Sequence, residues 1–527
     1  MPLAANVQPP RRSRRGGAWR LRHAGHGHGV AGVVGLTGVA VGAAAGSSAS
    51  TGSPAVALLA GIMLLLGLAT ILLGDVRRIL LILIVLDIPL QLDVYLGFRE
   101  DIASLAALGG FNVSVTTVAL AGLYLLWAAE LLTGAEGAPR PRLRAAAIPA
   151  LFLAMMFVSL VVARDRVVAG FEIALITQML LLFIYVASTV RSGPDLRLIV
   201  KVLLIAMLVE AILALMSYGS GGALALPGTA MQAEGPPGSG ASRLSGTIGG
   251  PNGAGGYFAF MATFAVAIFL FSQDRGLRRL AAYSCVPAVI ALALTLSRGA
   301  WIAFVVGCAV LALGGRGQLR RARVSPVAIV GMGLGLIAVL VPLQGLIAAR
   351  VSGPDEGSAA SRGPLAHLAF QIIGDHPIAG VGANNFAVVM HDYAGAEFSA
   401  DWLSIAHNKY LLVWAELGTL GLAIFLAFLG ATVLRGWRVR SAADPLVAAL
   451  GIGIAAAVVG HATHLNFDTF KGRPMTETLW LASALLASPV VVRWSRRRAD
   501  REDVVRRALT PPPGTRARRA PSIDRVA

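Results

Sequence analysis

Between Val30 and Val492 the chain returns repeatedly to apolar stretches of roughly 20 residues, separated by charged or Gly/Pro-rich breaks. As a helix, each is about long enough to cross a hydrocarbon core of about 30 Å. A helix suits that passage because its backbone N–H and C=O groups bond within the segment and none faces lipid unpaired. Fourteen candidate spans follow: residues 30–46, 55–73, 79–96, 113–132, 145–163, 167–188, 198–217, 254–272, 280–296, 300–314, 326–347, 410–434, 446–462 and 478–492. The expected fold is all-α, a polytopic integral membrane protein with about 12–14 transmembrane helices. Composition excludes an ordinary soluble enzyme: 56% of residues are hydrophobic and 14% charged, against about 45–50% and 25% in soluble domains.

Charge then orients the spans. The chain has 45 Lys and Arg against 27 Asp and Glu, a net +18. Loops on the side of the amino terminus, with both tails, hold 34 of the basic residues, and loops on the opposite side hold 9. Basic residues concentrate on the cytoplasmic side of membrane proteins, so both termini are expected there. The excess is accounted for by topology and by anionic lipid heads, and a nucleic-acid partner is not needed. Three regions are expected: a basic tail at 1–28, a polytopic membrane domain at 29–494 and a basic, disordered tail at 495–527. The first span reads as a membrane helix rather than a removed leader. His23, His26 and His28 lie in a Gly-rich leader with no Cys or acidic neighbour and read as polar surface. Cys285 and Cys308 lie inside apolar runs and read as small hydrophobes.

The outward side has two loops longer than a hairpin needs, residues 218–253 and 348–408. Long loops in compact proteins are more often functional than accidental. In the second, Leu365, Leu368, Ala369 and Ile372 repeat at helical spacing after Pro364, predicting an amphipathic helix on the outer surface or over a cavity. A Gly-punctuated stretch follows at 376–386. Three outward positions stand out where basic residues are scarce: Arg243 just before a span, Arg298 in a very short turn, and His407 opening a span. Each has a plain reading: snorkelling or carbonyl capping for the arginines, a solvated imidazole for His407.

Taken together these positions resemble the O-antigen ligase and O-antigen polymerase superfamily of membrane glycosyltransferases. His407-Asn408, nine residues, then Gly418-Thr419-Leu420-Gly421 matches the ligase pattern of His, then Asn, Ser or Gln, nine residues, Gly, two residues and Gly, Thr or Tyr. The turn Ser297-Arg298-Gly299-Ala300, the loop Pro377…Gly380-Val381-Gly382…Asn385-Phe386 and the segment Arg243…Gly246…Pro251-Asn252 look like further signatures. The resemblance covers Arg243 to Gly421, within a ligase-like core at 243–434. Fourteen spans exceed the roughly twelve of the family, and both tails look like additions.

The resemblance implies a glycan passed from a polyprenyl-diphosphate carrier to an acceptor hydroxyl, on a glycan or a lipid, outside the cytoplasmic membrane of a bacterium. It implies one inverting displacement, with neither cofactor nor metal. The departing diphosphate gathers negative charge, which a guanidinium fork can pair bidentately, so Arg298 and Arg243 are the candidate cations. The acceptor must lose a proton, and His407 is the candidate base. Candidate substrate-binding residues are Ser297, Asn252, Asn408, Asn385 and Glu416. For Asn252 and Asn408 helix capping is the default reading, and for Glu416 a buried ion pair stands equally beside orienting an arginine. His461 and His464 near Asp468 read either as a zinc site or, preferably, as a helix-end polar cluster. Asp87, Glu172 and Glu210 read as interior polar contacts. Ligase and polymerase both fit, and a lipid-linked glycan flippase or transporter is the alternative from another class.

Overall fold

The computed structural model describes residues 75–222, 243–316, 362–395 and 404–494, with four isolated positions between 341 and 348. The expected spans at 30–46, 55–73 and 326–347 and both basic tails lie outside the described residues. The other eleven spans coincide with helices. In order the elements are α1 Val76–Leu90, β1 Asp93–Leu96, β2 Phe111–Ser114, α2 Val115–Leu132, α3 Ala147–Ser159, α4 Arg166–Thr189, α5 Gly193–Gly219, α6 Pro251–Phe271 and α7 Arg275–Leu294. They continue with α8 Arg298–Gly314, α9 Arg362–Asp375, α10 Lys409–Val439, α11 Pro445–His464 and α12 Arg473–Ala487. Seven of them (α2, α4, α5, α6, α7, α10 and α11) are long and apolar enough to cross a membrane. The chain is an all-α polytopic membrane protein.

Local sequence sets the helix starts. Asp165, Asp274 and Asp444 each accept two backbone N–H bonds at the start of α4, α7 and α11, satisfying donors that a helix leaves unpaired. Proline occupies the first turn of α5, α6, α11 and α12, where its missing N–H costs nothing. Small residues then let helices meet closely in a medium that offers no hydrophobic drive. A Cβ on Gly460 of α11 would lie 2.4 Å from the Ala303 carbonyl of α8, and one on Gly436 of α10 would lie 2.5 Å from the Gly451 carbonyl of α11.

Three boundaries depart from the apolar-run reading. Helix α1 stops at Leu90 rather than 96, because Gln91 turns left-handed at φ 48° and the chain enters β1. β1 pairs antiparallel with β2, Asp93 opposite Ser114 and Leu96 opposite Phe111. The alternation of Leu92, Val94 and Leu96 keeps the segment apolar while changing its period. Helix α12 starts at Arg473, five residues early, because that guanidinium is buried against Asp87, Asp93 and Glu477 at 3.2, 2.8 and 2.7 Å. Helix α10 is broken at Gly418, with φ 68° and ψ −174°. Any side chain there would strike the Ile378 carbonyl, so glycine is required. A separate helical segment, residues 409–417, therefore precedes the spanning part. The amphipathic helix is α9: Leu365, Leu368, Ala369 and Ile372 are buried against α10.

Candidate functional site

The Arg243 segment, the α7–α8 turn, the start of α10 and the α11–α12 connection lie at one end of the bundle. Leu244 N–H donates to the Leu294 carbonyl at 3.1 Å, laying the Arg243 segment across the end of α7. The Arg243 guanidinium donates to the Thr295 carbonyl and to Asn252 Oδ1, both at 3.0 Å. Asn252 thus touches a guanidinium and does not cap α6. After Thr295 the chain reverses through Leu296 at φ 51° and re-enters helix at Arg298. Arg298 stands in the first turn of α8, half-buried, and the positive end of the helix dipole adds to its own charge. Ser297 is buried at the N-cap position, yet its side chain makes no capping bond.

The carboxyl-terminal end of α11 joins these turns to His407. A Cβ on Gly299 would fall 2.8 Å from the His464 ring, so the Arg298 turn rests on that imidazole. One residue further, the Leu465 carbonyl accepts from Lys409 N–H at 2.9 Å, docking the start of α10 beside it. Tyr410 repeats the tie with its hydroxyl on the Ala462 carbonyl at 2.6 Å. Asn408 Oδ1 caps α10 by accepting from Tyr410 and Leu411 N–H at 3.0 and 3.1 Å. His407 sits just ahead of that cap, half-buried, with Ser404 Oγ 3.4 Å from Nε2. Burial, with help from the Arg362 charge, lowers its pKa below the ordinary histidine value against the opposing pull of Asp468. The imidazole is therefore neutral at pH 7 and able to accept a proton.

Arg362 is the residue sequence reasoning missed. It opens α9, and its charge reaches both His407 and His464. Its Nε is buried without a hydrogen-bond partner among the described residues. The only signal was its place ahead of the amphipathic run. His461 and His464 are both buried and pack on Phe470, at 5.0 and 4.7 Å between ring centroids. Among the described residues no three His, Cys, Asp or Glu side chains are grouped as a metal would require.

Asn385 and Glu416 belong to a supporting layer. Asn385 is fully buried and bonds to Asp165 N–H, the Asp165 carbonyl and the Ala383 carbonyl at 2.8, 3.0 and 2.9 Å, tying the 376–386 loop to the start of α4. Glu416 accepts from Lys471 Nζ at 2.8 and 3.1 Å, so its cation is a lysine and not an arginine of the site. Lys471 also donates to Glu172 at 3.1 Å and Asn384 at 2.9 Å, and Lys409 lies 3.7 Å from Glu172. Burial works against the Lys471 ammonium, but the two carboxylates outweigh it and hold its pKa above the ordinary lysine value. Two lysines and two glutamates, all deeply enclosed, thereby neutralise one another beneath the start of α10, as buried charge must.

The Arg243 turn has its own anchor. Gly246 turns at φ 63° directly over Glu210 of α5. Glu210 Oε1 accepts from Thr247 N–H at 3.0 Å, and Oε2 contacts Thr247 Oγ1. That hydroxyl also meets the Pro89 carbonyl at 2.7 Å, which can only accept. A hydroxyl has one proton, so the second proton belongs to Glu210, held here as the neutral acid. Glu210→Gln should then retain both contacts, amide N–H replacing acid O–H, and unfold at nearly the native temperature. Glu210→Leu leaves a buried N–H unpaired at a cost of about 1–3 kcal/mol. Thermal unfolding of the two variants checks this, and equal losses would show that these contacts do not hold the turn.

The O-antigen ligase family model matches residues 283–426. The match takes in Arg298, Arg362, His407 and Glu416; Arg243 precedes it, and His464 and Lys471 follow it. No curated relative matches the chain. This O-antigen ligase domain, set in an all-α membrane architecture, supports the O-antigen ligase/polymerase superfamily.

Proposed function

We propose that this protein transfers a glycan from a polyprenyl-diphosphate carrier to an acceptor hydroxyl at the outer face of the cytoplasmic membrane. The observation that carries the reading is the gathering of Arg243, Arg298 and a neutral His407 around one end of α11. The acceptor O–H proton passes to the His407 imidazole as its oxygen attacks the anomeric carbon. The bond from that carbon to the diphosphate breaks, and its electron pair leaves on the diphosphate oxygen. Arg298 and Arg243, with Arg362 beside His407, stabilise that developing charge. Attack opposite the leaving group inverts the anomeric centre. Guanidiniums do here what a divalent cation does in other glycosyl transfers, so the reaction is metal-independent. Asn252 orients the Arg243 guanidinium by accepting from it, and Ser297, buried, precedes Arg298 in its turn. Asn385, Asn408 and Glu416 act by holding the backbone that presents the site.

The test is reconstitution of the purified protein with lipid-linked glycan and alternative acceptors, with and without EDTA. A transferred product of inverted configuration, formed equally in chelator, is expected. Product on a lipid acceptor assigns the ligase role, and lengthened lipid-linked glycan assigns the polymerase role. Movement of the donor across the bilayer with no product would assign a flippase instead.

The proposed orientation has its own measurement. Reporters at the amino terminus, near Arg320 and after Arg498 should score cytoplasmic, and one near Glu356 external, because basic residues are retained on the cytoplasmic side. A cytoplasmic score at Glu356 would invert the topology and take the site away from the outer face.

A further inference from the structure

At the end of the bundle opposite His407, the ends of α2, α4 and α12 enclose a cleft of about 710 Å³. Arg140, Arg142, Arg191 and Arg493 line it, with Glu130 and Glu136 as its carboxylates. Glu130 is engaged with Arg77 at 2.6 Å. Positive charge is carried further by Arg435, which lies within electrostatic reach of both Arg142 and Arg438. Cytoplasmic basic residues are general in membrane proteins, but that rule asks only for their number on one side. Here four of them converge on a single concave surface.

The rim is built rather than loose. Gly134 and Gly137 take φ 63° and 83°, a conformation that suits glycine. Trp127 Nε1 donates to the Pro139 carbonyl at 2.6 Å, and Arg191 reaches the Gly137 carbonyl at 2.8 Å. Arg142 N–H donates to Ser188 Oγ at 3.0 Å while its guanidinium reaches the Ala487 carbonyl at 3.1 Å. Apolar side chains flank the charged floor: Leu131 lines the cleft, and Leu132 and Leu143 beside it are 87% and 63% exposed. A cationic hollow at the ends of spanning helices, bordered by bare leucines, suits a phospholipid: phosphate inside, acyl chains along the leucines.

We infer that this cleft is a binding site for a phosphate group, and that an anionic phospholipid of the cytoplasmic leaflet supplies it. The inference stands apart from the transfer reaction at the other end.

It is tested on the full-length protein in an uncharged detergent, by native mass spectrometry and thermal unfolding. The probes are phosphatidylglycerol, cardiolipin, phosphatidylcholine, inorganic phosphate and pyrophosphate. Phosphatidylglycerol or cardiolipin should be retained and should raise the unfolding temperature, and phosphatidylcholine should do neither. The triple variant Arg140→Gln, Arg191→Gln, Arg493→Gln should bind the acidic lipid about 100-fold more weakly, at about fivefold for each arginine. These three side chains are exposed, so folding survives their loss. A control with Arg78→Gln, Arg197→Gln and Arg316→Gln removes as much charge from the same end and should bind as the native chain does. Stabilisation by phosphate or pyrophosphate alone, lost in the triple variant, would support the anion site with a soluble source. Acidic-lipid binding that survives the triple variant, or falls equally in the control, overturns the site.

Discussion

His407→Gln should insert, bind lipid-linked donor with native affinity, and transfer glycan about 10²–10⁴-fold more slowly, the usual cost of losing a general base. The amide can hydrogen-bond an acceptor hydroxyl but cannot take its proton. Single-turnover transfer, measured beside donor affinity at equal amounts of folded protein, separates the two roles. Normal transfer by the Gln variant would reduce His407 to an orienting group, and lost donor binding would move it to the diphosphate. The pH profile adds a sign. Burial and the Arg362 charge lower the His407 pKa, so native activity should persist below pH 6.5 and fall only as acid protonates the ring. Arg362→Gln removes one of those causes and should shift that acid limb to higher pH.

Arg298→Lys should lose roughly 10²–10³-fold in transfer although net charge is unchanged, the scale seen when one transition-state donor is removed. A lysine offers a point charge where the guanidinium offers a planar fork matched to phosphate oxygens. The Ser297-Arg298-Gly299 turn rests on His464, and its first residues are held by the helix, so the longer reach of another rotamer cannot restore the geometry. The measurement is kcat and KM for lipid-linked donor, with unfolding temperature as the control for folding. Near-native turnover in a well-folded Arg298→Lys protein would return Arg298 to a carbonyl-capping, snorkelling role.

Most of the helices were legible in the chain because lipid imposes one length and one polarity on anything that crosses it. Legibility failed where polarity and period part company. Asp93 to Leu96 reads as the last turn of a span but is a strand. Arg473 reads as a loop charge that excludes helix, yet it is buried because Asp87 and Asp93, nearly 400 residues earlier, close around it. The same reason hides the Lys471–Glu416–Glu172 cluster: no local pattern tells a residue in one turn which carboxylates will meet it. At the candidate site, Arg243, Arg298 and His407 could be picked out singly because basic residues are rare on that side. Their shared support, the carboxyl-terminal end of α11, could not, since it lies about 55 to 220 residues away and contributes mainly backbone carbonyls.

That support lies outside the segment carrying the family signature, and this limits how such proteins can be recombined. An exchange of residues 283–426 alone with a relative would carry Arg298, Arg362 and His407 across as a set. It would leave behind Leu465, on which the start of α10 is docked, and Lys471, which neutralises Glu416. The graft would arrive with the candidate residues and without its keel, and Glu416 would lose the lysine that bonds it, with Lys409 alone left to offset its charge. A chimera that preserves activity should need its second junction beyond Arg473, so that the signature and the helix ends beneath it are inherited as one unit.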